Sequence, residues 1–372
     1  MSQIPPVDLA RQYATIAEET DAAVLEILHS GRYIGGAAVS DFEAHFAAYH
    51  QTTYGAGCNS GTDALFLALK ALGIGAGDEV ITSTFTFIAT VEAICLVGAK
   101  PVLVDVTLDS FNLDLDQVAA AITPRTKAII PVHLFGCPVD MSRLQAIASQ
   151  HQLFIVEDCA QATGAAWGEH KVGAWGDIGC FSFFPTKNLG GCGDGGAITT
   201  QNQALYDEFT MLREHGSKVR YQHDVLGVNS RLDSIQAVIL AVKLRYLEQW
   251  NQQRQVIAQR YHQLLAGLEG ITLPQAPQGG THVWNQYTIL VAAGKRDSLK
   301  AQLQEQGISS MIYYPKPLHL QPVLLDYGYQ SGQFPVAEQC SHQVLSLPMF
   351  PDLSEEEQQR VADALKLCLK EF

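Results

Sequence analysis

Between residues 79 and 160 the chain alternates short apolar, β-branched runs with amphipathic stretches. EVITS (79–83), PVLVDV (101–106), AIIPVHLF (128–135) and LFIVEDCA (153–160) have the length and composition of buried strands. The segments between them, 87–97, 115–122 and 141–151, carry apolar residues at helical spacing. Strands alternating with helices predict a mainly parallel sheet covered on both faces, an α/β three-layer sandwich. FSFF and GGAITT add two strands on either side of a glycine-rich loop.

Upstream, the pattern predicts one helix over 9–28, stopped at His29-Ser30-Gly31, and a second over 41–49. A third follows Ser60, with Ala64, Leu65, Ala68, Leu69 and Leu72 on one face and Gly73 closing it. Downstream, 230–268 is a long, Gln-rich helical tract. Placing a junction within it, near Trp250, divides the chain into a large domain, 1–250, and a smaller C-terminal α+β domain, 251–372. The small domain is expected to hold HVWNQYTILVAA, a helix over 297–305, SSMIYY and a last helix with Ser354 and Glu357 spaced as a capping box.

A length of 372 residues suits two domains, and 47% hydrophobic residues suffice for a sizeable core. A net charge of −14 argues against nucleic acid as a partner, since no basic stripe is present to neutralise phosphates. None of the eight cysteines forms a C-x-x-C pair, so free thiols in a reducing cytoplasm are expected. The N-terminus lacks an apolar signal core, and no uncharged apolar run reaches membrane-spanning length.

Candidate chemistry gathers at the carboxyl ends of the predicted strands, where open α/β sheets bind ligands. Lys187 follows FSFFPT, and five glycines (190, 191, 193, 195 and 196) come directly after it. A lysine against apolar walls has a depressed pKa and attacks carbonyls as a free amine; the ordinary fate of a lysine is solvated surface. Ser182, five residues earlier, is placed to bond a phosphate. Asp158 ends the apolar run LFIVED, where its carboxylate meets a cationic partner such as a protonated pyridine nitrogen, or else is a structural ion pair or a helix cap. Glu157 should face the opposite side of the strand, and Gln161 could reach a ring oxygen. Ser60-Gly61-Thr62-Asp63 opens a helix, as a simple cap or as a phosphate site. Phe87 is a stacking ring or a core residue. Singly none decides; together they describe a pyridoxal 5′-phosphate site, with no metal required.

SGTDAL, FTFIAT, VEDCAQATGA, SFFPTKNLGGCGDGGA and GVNSRLDSIQA together resemble the DegT/StrS sugar aminotransferases of aspartate-aminotransferase fold type I, over nearly the whole chain. The resemblance implies that Lys187 holds pyridoxal 5′-phosphate covalently, Asp158 pairs with the pyridine nitrogen and Gln161 bonds the ring oxygen. Gly61, Thr62, Asp63 and Ser182 would hold the phosphate, Phe87 would lie over the ring, and Asn229 would reach the phosphate of a neighbouring subunit. A homodimer with shared sites follows. Cys159 stands where alanine is commoner in the family motif, a position expected to pack without altering the chemistry. The implied reaction takes an amino group from L-glutamate, through pyridoxamine 5′-phosphate, to a nucleotide-linked ketohexose. A dehydratase branch of the family replaces the lysine with histidine, so Lys187 argues against it. The loop YYPKPLHLQP (313–322) resembles that of members aminating 3-keto sugars, with a 4-keto sugar the alternative. Tyr313, Tyr314, His319, His215 and the neighbouring chain's Arg231 are the candidates to touch substrate. Some relatives have been described as regulators, a reading that the acidic balance and the lack of a DNA-reading motif disfavour.

Overall fold

The structure, a computed structural model, describes residues 3–370. Its centre is a seven-stranded sheet ordered β1-β9-β8-β5-β4-β2-β3. The strands are β1 (Tyr54–Cys58), β2 (Glu79–Ser83), β3 (Lys100–Val104), β4 (Thr126–Ile130) and β5 (Phe154–Asp158), then, beyond the two-residue β6 (Ala166–Trp167) and β7 (His170–Lys171), β8 (Ile178–Ser182) and β9 (Gly196–Thr200). Strands β3, β2, β4, β5 and β8 run parallel, while β9 is antiparallel to both β8 and β1. The sheet is therefore mixed and mainly parallel.

Helices α1 (Leu9–Ala14), α2 (Ala17–Ser30), α3 (Ala37–Tyr49), α4 (Gly61–Ala71), α5 (Ala89–Leu96), α6 (Leu115–Ala121), α7 (Met141–His151), α8 (Gln203–Arg213) and α9 (Ser234–Leu265) surround it. Side-chain alternation sorts the strands onto two faces. Val80, Ala128, Ile130 and Val156 pack with Leu65, Ala68 and Leu69 of α4 and Phe209 of α8. Ile81, Ile129 and Ile155 pack oppositely, with Val118 of α6 and Met141 and Leu144 of α7. Helices on both faces of one sheet give the three layers.

Several boundaries differ from expectation. The first helix is two: Thr15 closes α1, its hydroxyl turned back onto Gln12 O at 2.8 Å, and Ile16 is non-helical. α3 starts four residues earlier than 41, after Gly36. β4 stops at Ile130 instead of reaching Phe135, because Pro131 offers no N–H and residues 134–136 curl into a 3₁₀ turn with Phe135 at φ 59°. β5 ends at Asp158, so the chain turns immediately beyond that carboxylate.

α9 runs unbroken through Trp250 and serves two cores. Ala237, Leu240 and Leu247 join Phe42, Phe46 and Phe183, whereas Ile257, Ala258, Tyr261 and Leu265 join a C-terminal core that also takes in Ile4. That C-terminal part contains β10 (Ile271–Thr272), β11 (Gly280–Thr281), β12 (Tyr287–Val291), α10 (Arg296–Glu305), α11 (Pro335–Gln343), β13 (Val344–Leu347) and α12 (Glu355–Leu369). β10, β12 and β13 form an antiparallel sheet, and β11 pairs with β6. The expected capping box at Ser354 and Glu357 opens α12. SSMIYY forms only a bridge from Met311 to Ser346.

Candidate active site

The turn after β8 presents Lys187. Lys187 N–H donates to Phe184 O at 2.9 Å, with Pro185 in the second position of the turn, where its fixed φ is favoured. The chain then doubles back, Gly191 N–H reaching Phe183 O at 2.7 Å. Gly190 is required there because any Cβ would collide with Pro185 O. Among the described residues the Lys187 amine makes no hydrogen bond or ion pair. Burial of that amine pulls its pKa from 10.5 down to about 8, against the opposing charge of Asp158.

Asp158 comes from the neighbouring strand. β5 and β8 are in parallel register, Asp158 opposite Cys180, so the carboxylate sits beside the strand that leads into the Lys187 turn. The residue is 5% exposed. Its Oδ2 accepts from Thr90 Oγ1 at 2.8 Å and its Oδ1 from Ala160 N–H at 3.1 Å, with no ion pair among the described residues. Burial pushes the Asp158 carboxyl above its usual range, and Thr90, Ala160 N–H, Lys187 and His133 pull it back. Glu157 faces the other way, as alternation requires. Its oxygens accept from the N–H groups of Gly173, Trp175 and Gly176, and from His133 Nε2 at 3.1 Å. His133 Nδ1 accepts from Val139 N–H, which fixes the proton on Nε2. This buried network braces β5 from behind.

A third group of backbone and side-chain atoms converges at the start of α4. Ser60 caps the helix, its Oγ accepting from Asp63 N–H at 3.1 Å. That occupies Asp63 N–H and leaves Gly61 and Thr62 N–H without intrahelical acceptors. A Cβ on Gly61 would stand 2.7 Å from Ser182 Cβ, and one on Gly196 would collide with Ser60. Missing side chains thus let the α4 start, Ser182 and the first residue of β9 close into a cradle beside the free N–H groups of Gly61 and Thr62.

Gln161 is buried, its Oε1 accepting from Phe135 N–H at 2.7 Å and its Nε2 donating to the Tyr314 hydroxyl at 2.9 Å. Phe87 is 55% exposed, so it is no core residue; its ring centroid lies 6.2 Å from that of Tyr314. Tyr313 is half-buried beside Tyr314. His319 is different: it is fully buried, with Nδ1 2.8 Å from Thr84 Oγ1 and Nε2 3.0 Å from Glu338. Both its nitrogens are taken, and it anchors the 318–320 turn to the end of β2. His215, Asn229 and Arg231 lie within the α8–α9 connection, where Asn229 bridges to Glu214. His215 is exposed, and Asn229 Oδ1 accepts from Arg231, whose Nε is paired with Glu214 at 2.6 Å.

Two features escaped sequence reasoning. Thr90, in the first turn of α5, holds the Asp158 carboxylate, and its hydroxyl also lies 3.3 Å from that of Thr86; no local pattern marks it. Asn188, next to Lys187, is buried with Asn251 and Asn285. Its Nδ2 donates to Asn251 Oδ1 at 2.7 Å and Val283 O at 3.0 Å, and its Oδ1 accepts from Asn285 Nδ2 at 2.7 Å. Asn285 Nδ2 also approaches Thr186 O, so the backbone on both sides of Lys187 is tied down. No local pattern marks these asparagines.

A buried carboxylate without an ion pair among the described residues, a buried amine and a cradle of free N–H groups at the carboxyl end of one sheet are the parts that an enzyme site of the Schiff-base class requires. Residues 14–366 match the DegT/DnrJ/EryC1/StrS aminotransferase family, and the chain belongs to it. It is 48% identical over 371 residues to a pleiotropic regulatory protein of Geobacillus stearothermophilus, covering 99% of each chain. It is also 48% identical over 367 residues to a UDP-N-acetyl-3-dehydro-alpha-D-glucosamine 3-aminotransferase of Acidithiobacillus ferrooxidans, covering 98% of each. Among solved structures, S. venezuelae DesV in complex with a ketimine intermediate superposes with a TM-score of 0.97 at 44% identity, covering 100% of this chain and 99% of that one. NtdA from Bacillus subtilis with bound cofactor PMP gives 0.93 at 34% identity, covering 100% of this chain and 86% of NtdA. Among the described residues no helix is long and apolar enough to cross a membrane.

Proposed function

We propose that this aminotransferase uses pyridoxal 5′-phosphate to move an amino group from L-glutamate to a nucleotide-linked 3-keto hexose in the cytoplasm. The observation that carries this reading is the juxtaposition of the unpaired Lys187 amine with the buried Asp158 carboxylate. The residues fit the cofactor. Asp158 makes no ion pair among the described residues and would find a cationic partner in a protonated ring nitrogen. The cradle at Gly61, Thr62 and Ser182 suits a phosphate, Gln161 has a donor to offer a ring oxygen, and Phe87 stands free to cover a ring face. When bound, pyridoxal 5′-phosphate supplies an aldehyde for the lysine and an electron-accepting ring.

The chain's own residues do the rest. Lys187 Nζ, neutral for part of the time near pH 7, would hold the cofactor and act as the base that moves a proton from the donor's α-carbon. Asp158 would keep the ring nitrogen charged, and Thr90 fixes the carboxylate's direction. The same lysine would serve amino donor and acceptor in turn. The 48%-identical relative named as a 3-aminotransferase and the loop at 313–322 support carbon 3 of the acceptor. Incubation with L-glutamate and either a 3-keto or a 4-keto nucleotide sugar, followed by NMR location of the new amine, decides it. An amine at carbon 4 alone sinks the 3-keto assignment and leaves the aminotransferase standing.

The depressed lysine pKa sets a pH dependence. Only the neutral amine attacks the aldehyde, so the rate of cofactor capture by the apo protein should rise with pH and level off above about 8. Stopped-flow absorbance during reconstitution reads this; a rate still rising to pH 10 would place Lys187 in ordinary solvated surroundings.

Asn229 is proposed to complete the site of a second copy. It adjoins an exposed apolar stretch in which Tyr221 is 82% and Leu226 88% exposed, surface suited to burial against another chain. Mixing Lys187→Ala with an inactive Asn229→Asp variant should restore about a quarter of wild-type activity, since half the dimers are hybrids with one intact site. No recovery in hybrids verified by mass spectrometry would mean that each site is built from one chain.

A further inference from the structure

We infer that Tyr314 is a positioning residue that acts through Gln161 to aim a hydrogen-bond donor at the ring oxygen of the cofactor, an inference that rests on the cofactor reading above. The orientation of the Gln161 amide is settled by its partners. The backbone N–H of Phe135 is a donor only, so the Gln161 atom 2.7 Å away must be the carbonyl Oε1. Nε2 therefore faces the Tyr314 hydroxyl at 2.9 Å. An amide nitrogen only donates, so the tyrosine oxygen accepts and its own proton points away from Gln161. Of the two hydrogens on Nε2, one is committed to Tyr314, and the planar amide sends the other elsewhere. Among the described residues nothing receives that second hydrogen.

Tyr314 is well suited to the task. Its ring is held by Phe85 at 6.1 Å and Phe87 at 6.2 Å between centroids, so the hydroxyl has a fixed place. Burial, with the nearby Asp158 charge adding to it, raises the phenol above its ordinary pKa, so it stays protonated and is no competing base. The residue also arrives from far away in sequence, 153 positions beyond Gln161, on the segment that His319 pins to Thr84. Docking of the 313–320 segment and orientation of the Gln161 donor are thus one event. Without the hydroxyl, Gln161 would keep its bond to Phe135 but could rotate its NH₂ group toward any acceptor.

A donor on the ring oxygen draws off negative charge that otherwise stabilises the protonated nitrogen joining Lys187 to the cofactor. Weakening that donor should raise the pH at which this nitrogen loses its proton. The experiment is a titration of the visible absorbance of holoenzyme against pH, for wild type, Tyr314→Phe, Gln161→Met and the double variant. Tyr314→Phe, lacking one oxygen atom, is expected to raise the midpoint by about half to one pH unit. Gln161→Met should raise it at least as far, and the double variant no further than Gln161→Met alone. Should Gln161→Met not fold, Gln161→Glu keeps the acceptor for Phe135 N–H and deletes the donor. A role confined to packing would lower Tm without moving the midpoint. An unmoved midpoint in Tyr314→Phe, or shifts that add in the double variant, overturns the inference while leaving the cofactor reading intact. A wild type that forms no visible chromophore with pyridoxal 5′-phosphate overturns that reading, and this inference with it.

Discussion

Lys187→Ala is expected to lose at least about four orders of magnitude in kcat, because in the proposed mechanism one residue serves as both the covalent anchor and the proton-transfer base. The folded protein should survive. Among the described residues the lysine amine makes no hydrogen bond, and the turn that carries it is closed by backbone atoms and by the Asn188 cluster. Stability should even rise at neutral pH. The folded-state pKa, about 8, lies below the ordinary 10.5, so the folded chain binds fewer protons between those values and burying the ammonium is unfavourable. That cost is fully present below pH 8 and disappears as pH climbs to 10.5. Urea unfolding of the apo forms should therefore show Lys187→Ala ahead of wild type at pH 7, with the gap closing toward pH 10.5. Borohydride reduction and peptide mapping of wild type supply the covalent test: a pyridoxyl label on any other lysine removes Lys187 from the mechanism.

Asp158→Asn should lose about two to three orders of magnitude in kcat/KM, the cost of deleting one preorganised charge from a buried site. The substitution preserves shape: an asparagine Oδ1 still accepts from Ala160 N–H, and its amide can turn to Thr90 Oγ1. What goes is the negative charge proposed to meet the ring nitrogen. Burial lifts the Asp158 pKa above its usual value, so the ionised carboxylate is a cost to the apo protein above that folded pKa, and the cost is relieved on acidification. The asparagine variant should accordingly be as stable as wild type or more so at pH 7, while its cofactor dissociates faster on dialysis. Unchanged kcat/KM with full cofactor retention would show that another residue meets the ring nitrogen. Both variants trade stability against activity in the direction expected where function requires buried, underpaired charge.

The sequence by itself determined the elements nearest the chemistry. A carboxylate ending an apolar strand, a lysine before clustered glycines and a Ser-Gly-Thr-Asp helix opening are local signals. Each reflects a local physical demand: desolvation, turn geometry or the unsatisfied N–H groups of a helix start. The alternation of strand and helix periods likewise fixed the layers, because each strand must hide two apolar faces. Boundaries blurred where a short-range competitor acted, as at Thr15, which ends α1, and Pro131, which cuts β4 short.

Only the tertiary structure decided which distant residues meet. Thr90 reaches Asp158 across 68 positions, Gln161 meets Tyr314 across 153, and Asn188 bonds Asn285 across 97. His319 shows the same limit from the other side. Its motif marks it as a substrate contact, yet folding buries it between Thr84 and Glu338. The antiparallel insertion of β9 between β1 and β8, and the short strand β13, carry no periodic signature that separates them from their neighbours. α9 runs through two cores, and its 3.6-residue period records only that one face is buried, not which core buries it. Periodicity and capping are short-range physics and can be read along the chain; hydrogen-bond partners are chosen by packing, which exists only once the sheet and the C-terminal unit have come together.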